Sequence, residues 1–334
     1  MKKYTHAWLA FMAMKRLDFV DYSDQTDPKI AENAKSLVRW FKNYRDYVIE
    51  GAWYPDQVFK DMGSSHIIKY KPDWKAIDRM VEEEEADKTL KKDASRKTTF
   101  KKLPASISMF EQGKKSDLYE RPFTIEDGNL ADRCEAICHD IVDNLKMLRT
   151  EEKGCPISPT NNHIAMRFFI LSHYIADGHM PLHCDSRSFS SGSNVHGYIE
   201  KQWEDAVKKS YRIDKDNDRF FYDPDGYPLQ TTPTQLMLDV EMEATCRPYV
   251  HSWGTKNKNC WDYMSAISAF SYLKSYRMIP RGFDETNLTT DLFKTLEGGA
   301  NLERYSREIL CDAVDSIARV WLHVWARYRS WAKL

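Results

Sequence analysis

The chain has 334 residues, of which 42% are hydrophobic and 30% charged, and its formal net charge is −1. This balance is that of an ordinary globular protein, and the length suits one large domain or two medium ones. The near-zero charge gives no bulk electrostatic argument for a nucleic-acid or anionic-membrane partner, although it leaves room for a local basic groove. No run of apolar residues is long enough to span a bilayer.

The start of the sequence enters an amphipathic helix directly, with Lys15, Arg16 and Asp18 in it. It has neither the apolar core nor the cleavage site of a signal peptide. The seven cysteines are odd in number and scattered, which favours reduced, buried thiols over a disulfide framework. We therefore expect a cytoplasmic protein, or a secreted one whose leader has been removed.

Taken in chain order, almost every periodic segment has the three- and four-residue spacing of an apolar helical stripe. We predict helices over residues 4–17, 28–50, 127–150, 161–177, 196–209, 234–247, 260–277, 286–297 and 301–332. Gly51 is expected to end the second helix, and residues 52–74 are expected to be irregular. The prediction is an all-α fold, a single multi-helix domain over 1–334, with a charged and exposed insertion around 75–102.

The helix predicted over 161–177 contains two polar residues in an otherwise apolar segment. His173 and Asp177 are four residues apart, so they lie on one face of the helix. Burying them without partners costs several kcal/mol, and a metal ion is one such partner. Pro181 cannot continue the helix, so the chain turns there and presents His183.

Further histidines and carboxylates have the spacing of metal ligands. His196 and Glu200 form a second pair four residues apart, Asp56 and His66 lie in the irregular aromatic segment, and His6 lies on the first helix. Imidazole together with carboxylate suits zinc better than magnesium or calcium, which prefer oxygen ligands alone. The candidates are too many for one tetrahedral site, so we predict two or three zinc ions that share a bridging carboxylate.

The order of these residues resembles the zinc-dependent phospholipase C and single-strand nuclease superfamily. The segment from His173 to His183 is similar to the family's His-Tyr-x-Gly-Asp-x-His-Gln-Pro-x-His, and it departs at Ala176 and Met180. Further likenesses are Thr5-His6-Ala7-Trp8, Gly51-Ala52-Trp53-Tyr54-Pro55-Asp56 and Ser65-His66. The resemblance covers candidate ligands from residue 6 to residue 200, while the C-terminal third is similar only in being helical.

The resemblance implies three metal positions and a phosphoric-ester hydrolase fold. The first position would use Asp56, His66, His173 and Asp177; the second His183, His196 and Glu200; the third Asp177, His6 and the N-terminus of the chain. Secreted family members begin with a Trp whose amine and carbonyl bind zinc, so we hypothesise that a deformylated Met1 replaces it. The implied reaction is in-line hydrolysis by a metal-activated water, with Asp56 orienting that water or taking its proton.

Residues around the candidate ligands leave the substrate open. Glu200, where the nucleases carry Asp, favours a phospholipase C type acting on a phospholipid head group. A single-strand nuclease or nucleotidase is the alternative. Against it, Ile67 and Ile68 occupy the positions where that branch carries an aromatic residue that binds a base. Gln57 likewise stands where the phospholipases have an aromatic. The second alternative is a non-catalytic, zinc-stabilised helical protein, although structural zinc sites more often use thiolates.

Three more polar residues lie close in sequence to the candidate ligands. Asp185 and Glu204 are candidates to orient ligand imidazoles, with solvated side chains as the alternative interpretation. His179 is adjacent to the site, but it is expected to point to a different side of the turn. The sequence does not indicate an oligomeric state.

Overall fold

The computed structural model describes residues 1–20, 27–61, 63–72, 74–75, 124–150, 159–187, 189, 194–246 and 259–333. Its α-helices are α1 (Lys3–Asp18), α2 (Pro28–Lys42), α3 (Val48–Tyr54), α4 (Leu130–Arg149), α5 (Asn161–Gly178), α6 (Val195–Ser210), α7 (Gln235–Cys246), α8 (Cys260–Met278), α9 (Thr290–Thr295), α10 (Glu297–Ala300) and α11 (Leu302–Ala332). Turns of 3₁₀ helix lie at Arg45–Tyr47, Ser64–His66 and Pro181–His183, and a π-helical turn spans Pro55–Phe59. The predicted all-α class is therefore confirmed.

Two small antiparallel strand pairs accompany the helices in the described part of the chain. Strand β1 (Lys69–Tyr70) pairs with β2 (Ile125–Asp127), and β3 (Ile213–Asp214) pairs with β4 (Arg219–Phe220). The charged insertion predicted around 75–102 lies, apart from Lys75, outside the described residues. None of the described helices is both long enough and apolar enough to cross a membrane.

The prediction of one helix over 28–50 that ends at Gly51 is wrong. The helix α2 ends at Lys42, and α3 runs through Gly51, which is buried in its middle. A Cβ atom on Gly51 would lie 2.7 Å from the Cβ of Phe169 in α5, so the missing side chain allows the two helices to approach closely. Pro55 then begins the π-helical turn that presents Asp56.

The prediction of one helix over 286–297 is also wrong, because the structure has two short helices there. Leu296 has an extended backbone between α9 and α10, with φ −78° and ψ 164°. Thr289 begins α9 by accepting a hydrogen bond from the Leu292 amide. In α10, a Cβ atom on Gly298 would lie 2.4 Å from the carbonyl oxygen of Met278, so the backbone of α10 contacts the end of α8 directly.

Helix α5 lies in the middle of one contiguous hydrophobic core, and all its residues from Phe168 to Gly178 are buried. It packs against α1, α3, α4, α8 and α11. The Trp321 indole of α11 donates a hydrogen bond of 2.9 Å to the carbonyl of Phe168. Because α5 is surrounded by these helices, any polar residue in its second half needs a partner inside the protein.

The described cysteines have free thiols, and all of them except Cys246 are buried. Cys134 and Cys138 lie on α4, where it faces the core, and Cys184 lies just after the Pro181–His183 turn. Burial raises the pKa of the Cys134 thiol well above its usual value. The Cys134 thiol is therefore protonated and packs as a small apolar group.

Candidate metal centre

Asp177, near the C-terminal end of α5, is the centre of a buried cluster of polar groups. Its side chain is 1% exposed. The predicted ligands all lie around it, and they come from separate parts of the chain: His6 on α1, Asp56 on the π-helical turn, His66 and His183 on 3₁₀ turns, His173 on α5, and His196 and Glu200 on α6. The structure thus brings together every residue that was predicted to bind metal.

The two oxygens of Asp177 face different neighbours. Oδ2 lies 2.8 Å from His66 Nδ1 and 3.2 Å from His173 Nε2. Oδ1 lies 3.5 Å from His6 Nε2 and 3.6 Å from His183 Nδ1. One carboxylate therefore connects two separate groups of imidazoles, which is the geometry expected of a bridging ligand.

Three sets of side chains have potential ligand atoms within 4.8 Å of one another, and each set could hold a metal ion. The sets are His66, His173 and Asp177; His183, His196 and Glu200; and His6, Asp56 and His173. The second set is the second position implied by the resemblance, and the first set has three of the four residues of the first position, without Asp56. The third set differs, because His6 lies with Asp56 and His173, and its ring stacks on the His173 ring at 3.8 Å.

Backbone carbonyls orient two of the imidazoles. His173 Nδ1 lies 2.8 Å from the carbonyl oxygen of Ala52 in α3, and His196 Nδ1 lies 3.0 Å from that of Phe189. Each Nδ1 is thus assigned as the protonated nitrogen that donates to the carbonyl, and each Nε2 faces the cluster. A hydrogen bond from the outer ring nitrogen to a carbonyl is a recurrent feature of metal-binding histidines.

The cluster contains buried polar atoms that lack partners among the described residues. Both ring nitrogens of His6, Nε2 of His66 and Nδ1 of His183 are buried without a hydrogen bond. Orphaned polar atoms of this kind are costly, and they are rare in folded proteins unless water or an ion satisfies them. Their position beside carboxylates fits a metal ion as the missing partner.

The protonation states of the cluster also suit a metal. Burial lowers the pKa of His183 to about 3, and burial likewise holds the pKa of His6 well below its usual value. Burial acts to raise the pKa of Asp177, but the charge of the Met1 amine holds it well below the usual range. Burial acts to lower the pKa of His66, but its hydrogen bond to Asp177 raises it. The neutral imidazoles of His6 and His183 and the ionised Asp177 are the forms that bind zinc.

The Met1 amine lies inside the same cluster. It is 3.0 Å from Oδ1 of Asp177 and 2.9 Å from Oε1 of Glu200, and it is fully buried. Burial acts to lower the pKa of this amine, but the two carboxylates raise it to about 11. The amine therefore lies beside Asp177, with which the resemblance would have it share the third metal, but its raised pKa keeps it protonated, and a protonated amine has no lone pair for a metal.

Glu204 fixes the beginning of α1, which has no side-chain cap of its own. Its carboxylate is buried and accepts hydrogen bonds of 3.0 Å from both the amide and the hydroxyl of Thr5, and one of 3.4 Å from the Tyr4 amide. Glu204 was expected to orient an imidazole or to be solvated, and it does neither. It holds the helical turn on which His6 lies. The only sign in the sequence that Glu204 lies near the cluster is its position four residues after Glu200.

The other two polar neighbours are also engaged elsewhere. Asp185 pairs with Arg187 rather than with an imidazole. His179 is buried away from the cluster, with Nε2 2.8 Å from the hydroxyl of Ser316. The sequence did not indicate that Tyr174 contacts the cluster. The centre of its ring lies 5.2 Å from that of His66, and its hydroxyl donates a hydrogen bond of 2.6 Å to Asp61.

The candidate ligands differ in their exposure to solvent. The side chains of Asp56 and His183 are 14% and 11% exposed, whereas those of His6 and His173 are fully buried. Trp53, which is partly exposed, lies with its ring 6.3 Å from that of His6. Solvent therefore reaches Asp56 and His183 but neither His6 nor His173.

Comparison with known proteins gave no match: no family model, no curated protein and no solved structure is detectably similar to this chain. The interpretation of the cluster accordingly depends on its own geometry and donor chemistry.

Proposed function

We propose that this protein is a zinc-dependent phosphoric-ester hydrolase of phospholipase C type. The observation that carries the proposal is the cluster around Asp177, in which three overlapping ligand sets combine buried imidazoles and carboxylates. A purely structural zinc site usually fills its coordination with protein ligands, often thiolates. Here the set of His183, His196 and Glu200 has only three protein ligands, and His183 is 11% exposed, which leaves room for a reactive ligand.

The residues have distinct roles in this proposal. Bound zinc ions would supply a water of lowered pKa and positive charge to offset the phosphoryl oxygens. Asp56 orients the attacking water and accepts its proton, because its carboxylate is the most accessible one in the cluster.

The surroundings of Asp56 support a phospholipid over a nucleic acid. Val58 and Phe59 follow Asp56 on the same π-helical turn, and with exposed fractions of 54% and 39% they form an apolar rim next to it in the chain. Ile68 is buried, so the segment after His66 presents no stacking platform for a base. An apolar rim beside a phosphoric-ester site suits a head group that is held at a lipid surface.

The test combines metal analysis with a choice of substrates. The purified protein is loaded with zinc, its zinc content is measured, and it is incubated with phosphatidylcholine and phosphatidylinositol vesicles, single-stranded DNA and RNA. We expect hydrolysis of phospholipid, and we expect His173→Ala to abolish it. His139→Ala is the matched control, since His139 is an exposed histidine on α4.

Each other outcome has a definite meaning. Hydrolysis of DNA or RNA alone would replace the phospholipase assignment by the nuclease alternative. Zinc binding with no hydrolysis of any of the four substrates would support the non-catalytic, zinc-stabilised alternative. Activity that survives His173→Ala would remove the cluster as its cause.

A further inference from the structure

The guanidinium of Arg187, in the segment between His183 and His196, makes a dense set of contacts. It pairs with Asp185, with Nη2 2.6 Å and Nε 3.0 Å from Oδ2. Its Nη1 donates to three backbone carbonyls beyond the end of α8, at 2.9 Å to Ile279, 3.0 Å to Pro280 and 3.1 Å to Phe283. The side chain is only 11% exposed, so these bonds are formed away from bulk water.

Two further contacts fix the same group to α8. The Arg187 guanidinium lies 3.9 Å from the centre of the Tyr276 ring, within the range of a cation–π interaction. The hydroxyl of Ser275 donates a hydrogen bond of 2.6 Å to Oδ2 of Asp185. The pair of Asp185 and Arg187 is therefore attached to the last turn of α8 at several points, and its charges are compensated locally.

The pair is directly connected to the second ligand set. Asp185 follows His183 by two residues, and the carbonyl of His183 is held by a hydrogen bond of 3.3 Å from the Ile68 amide. Phe189 follows Arg187 by two residues, and the guanidinium lies 5.2 Å from the centre of its ring. The carbonyl of Phe189 accepts the hydrogen bond from His196 Nδ1. Arg187 is thus linked to both imidazoles, to His183 through Asp185 and to His196 through Phe189.

We propose that Arg187 is a positioning residue for the metal held by His183, His196 and Glu200. It fastens Asp185 to the end of α8 and packs against Phe189, which keeps His183 in place and the Phe189 carbonyl aimed at His196. This inference rests on the metal centre proposed above. A bidentate, multiply bonded guanidinium suits this role because lysine cannot reproduce its planar set of donors.

The test is the zinc affinity of Arg187→Lys, measured by competition with a chromophoric chelator and by metal analysis after dialysis. We expect the zinc held by His183, His196 and Glu200 to bind about 10- to 100-fold more weakly, as for the loss of other supporting contacts around metal ligands. The zinc held by His66, His173 and Asp177 should keep its affinity. Asp185→Asn, which removes the charge of the other half of the pair, should give the same selective loss.

Arg319→Lys is the matched control. Arg319 is 1% exposed and pairs with Asp315 at 2.6 Å, and it lies on α11, which carries none of the candidate ligands. The control variant should lose stability in urea while keeping wild-type zinc affinities. Such a result would separate the general cost of a buried Arg→Lys change from the selective effect expected at Arg187.

Three results would overturn the inference. Wild-type affinities at every zinc position in both Arg187→Lys and Asp185→Asn would show that the pair does not position the ligands. An equal loss at all positions, or a failure of both variants to fold, would make the pair part of the general framework. Absence of zinc binding by the wild-type chain would instead overturn the metal centre itself.

Discussion

Replacing Asp177 by asparagine should be the most damaging single substitution in this protein. The asparagine side chain would keep the shape of aspartate but lose its charge. Its oxygen could face either the Met1 amine, now at 3.0 Å, or His66 Nδ1, now at 2.8 Å, and its NH2 group would meet the other one. Since Asp177 is 1% exposed, water cannot replace it.

The size of the effect follows from these contacts. Removing one partner of a buried ion pair costs about 3–5 kcal/mol. The Met1 amine keeps a second partner, Glu200 at 2.9 Å, so we expect the lower end, ~3 kcal/mol, with zinc removed by a chelator. With zinc present the difference should grow, because a ligand at roughly 1,000 times its Kd contributes about 4 kcal/mol that the variant would forfeit.

The assay is urea unfolding of wild type and Asp177→Asn, followed by circular dichroism, with a chelator and with excess zinc. Asp315→Asn is the control, since Asp315 is buried and pairs with Arg16 at 3.2 Å and Arg319 at 2.6 Å. It should lose stability by a similar amount under both conditions. An Asp177→Asn chain with wild-type zinc content and no larger loss in zinc than in chelator would refute the bridging role.

Three further predictions concern the elements that support the site. Glu204→Gln should lower the free energy of unfolding by about 2 kcal/mol, because a charged acceptor for the first turn of α1 is lost; urea unfolding measures this, and diethylpyrocarbonate should then label His6 faster. Gly51→Ala should lower stability by ~1–3 kcal/mol in thermal unfolding, since the added Cβ would lie 2.7 Å from the Cβ of Phe169. Burial lowers the pKa of His179 to about 3. The unfolded chain therefore takes up a proton below about pH 6.5 that the folded chain refuses, and stability should fall by ~1.4 kcal/mol per pH unit between about pH 6.5 and 3. Urea unfolding of His179→Gln across this window should show a slope smaller by one proton.

Each of these predictions has a contrary result. Unchanged labelling of His6 in Glu204→Gln would mean that α1 holds its position without that carboxylate. A Gly51→Ala chain as stable as wild type would show that α3 and α5 can separate at no cost. Equal slopes of stability against pH for His179→Gln and wild type would show that His179 gains its proton in the folded state.

The helical pattern of the sequence predicted the fold class well. It failed to predict a helix boundary where the role of a residue is set by a contact with a distant part of the chain. Gly51 looks like a helix end, because glycine is a poor helix former and a frequent cap. Its actual role is set by Phe169 on α5, since the two backbones pack too closely for a side chain. No periodicity along residues 28–50 carries that information.

Two pairs of candidate ligands were visible in the sequence as imidazole and carboxylate at four-residue spacing, and the other four candidates were chosen from the order of all eight along the chain. The groups that orient them were not visible in the sequence. The carbonyls of Ala52 and Phe189 hold His173 and His196, yet every residue has a carbonyl and nothing in its side chain marks the role. Arg187 was missed for a related reason, since three of its partners are backbone oxygens.

The C-terminal helices contribute none of the candidate ligands, but they support the cluster from two directions. Helix α11 holds α5 through Trp321 and the carbonyl of Phe168, five residues before His173. Helix α8 holds the segment after His183 through Ser275 and Asp185. Because the ligands come from segments that meet only in the folded chain, zinc binding and folding should be thermodynamically coupled. Loss of the Trp321 bond to Phe168 or of the Ser275 bond to Asp185 should therefore lower zinc affinity without any change to a ligand, whereas Arg319→Lys leaves both bonds in place.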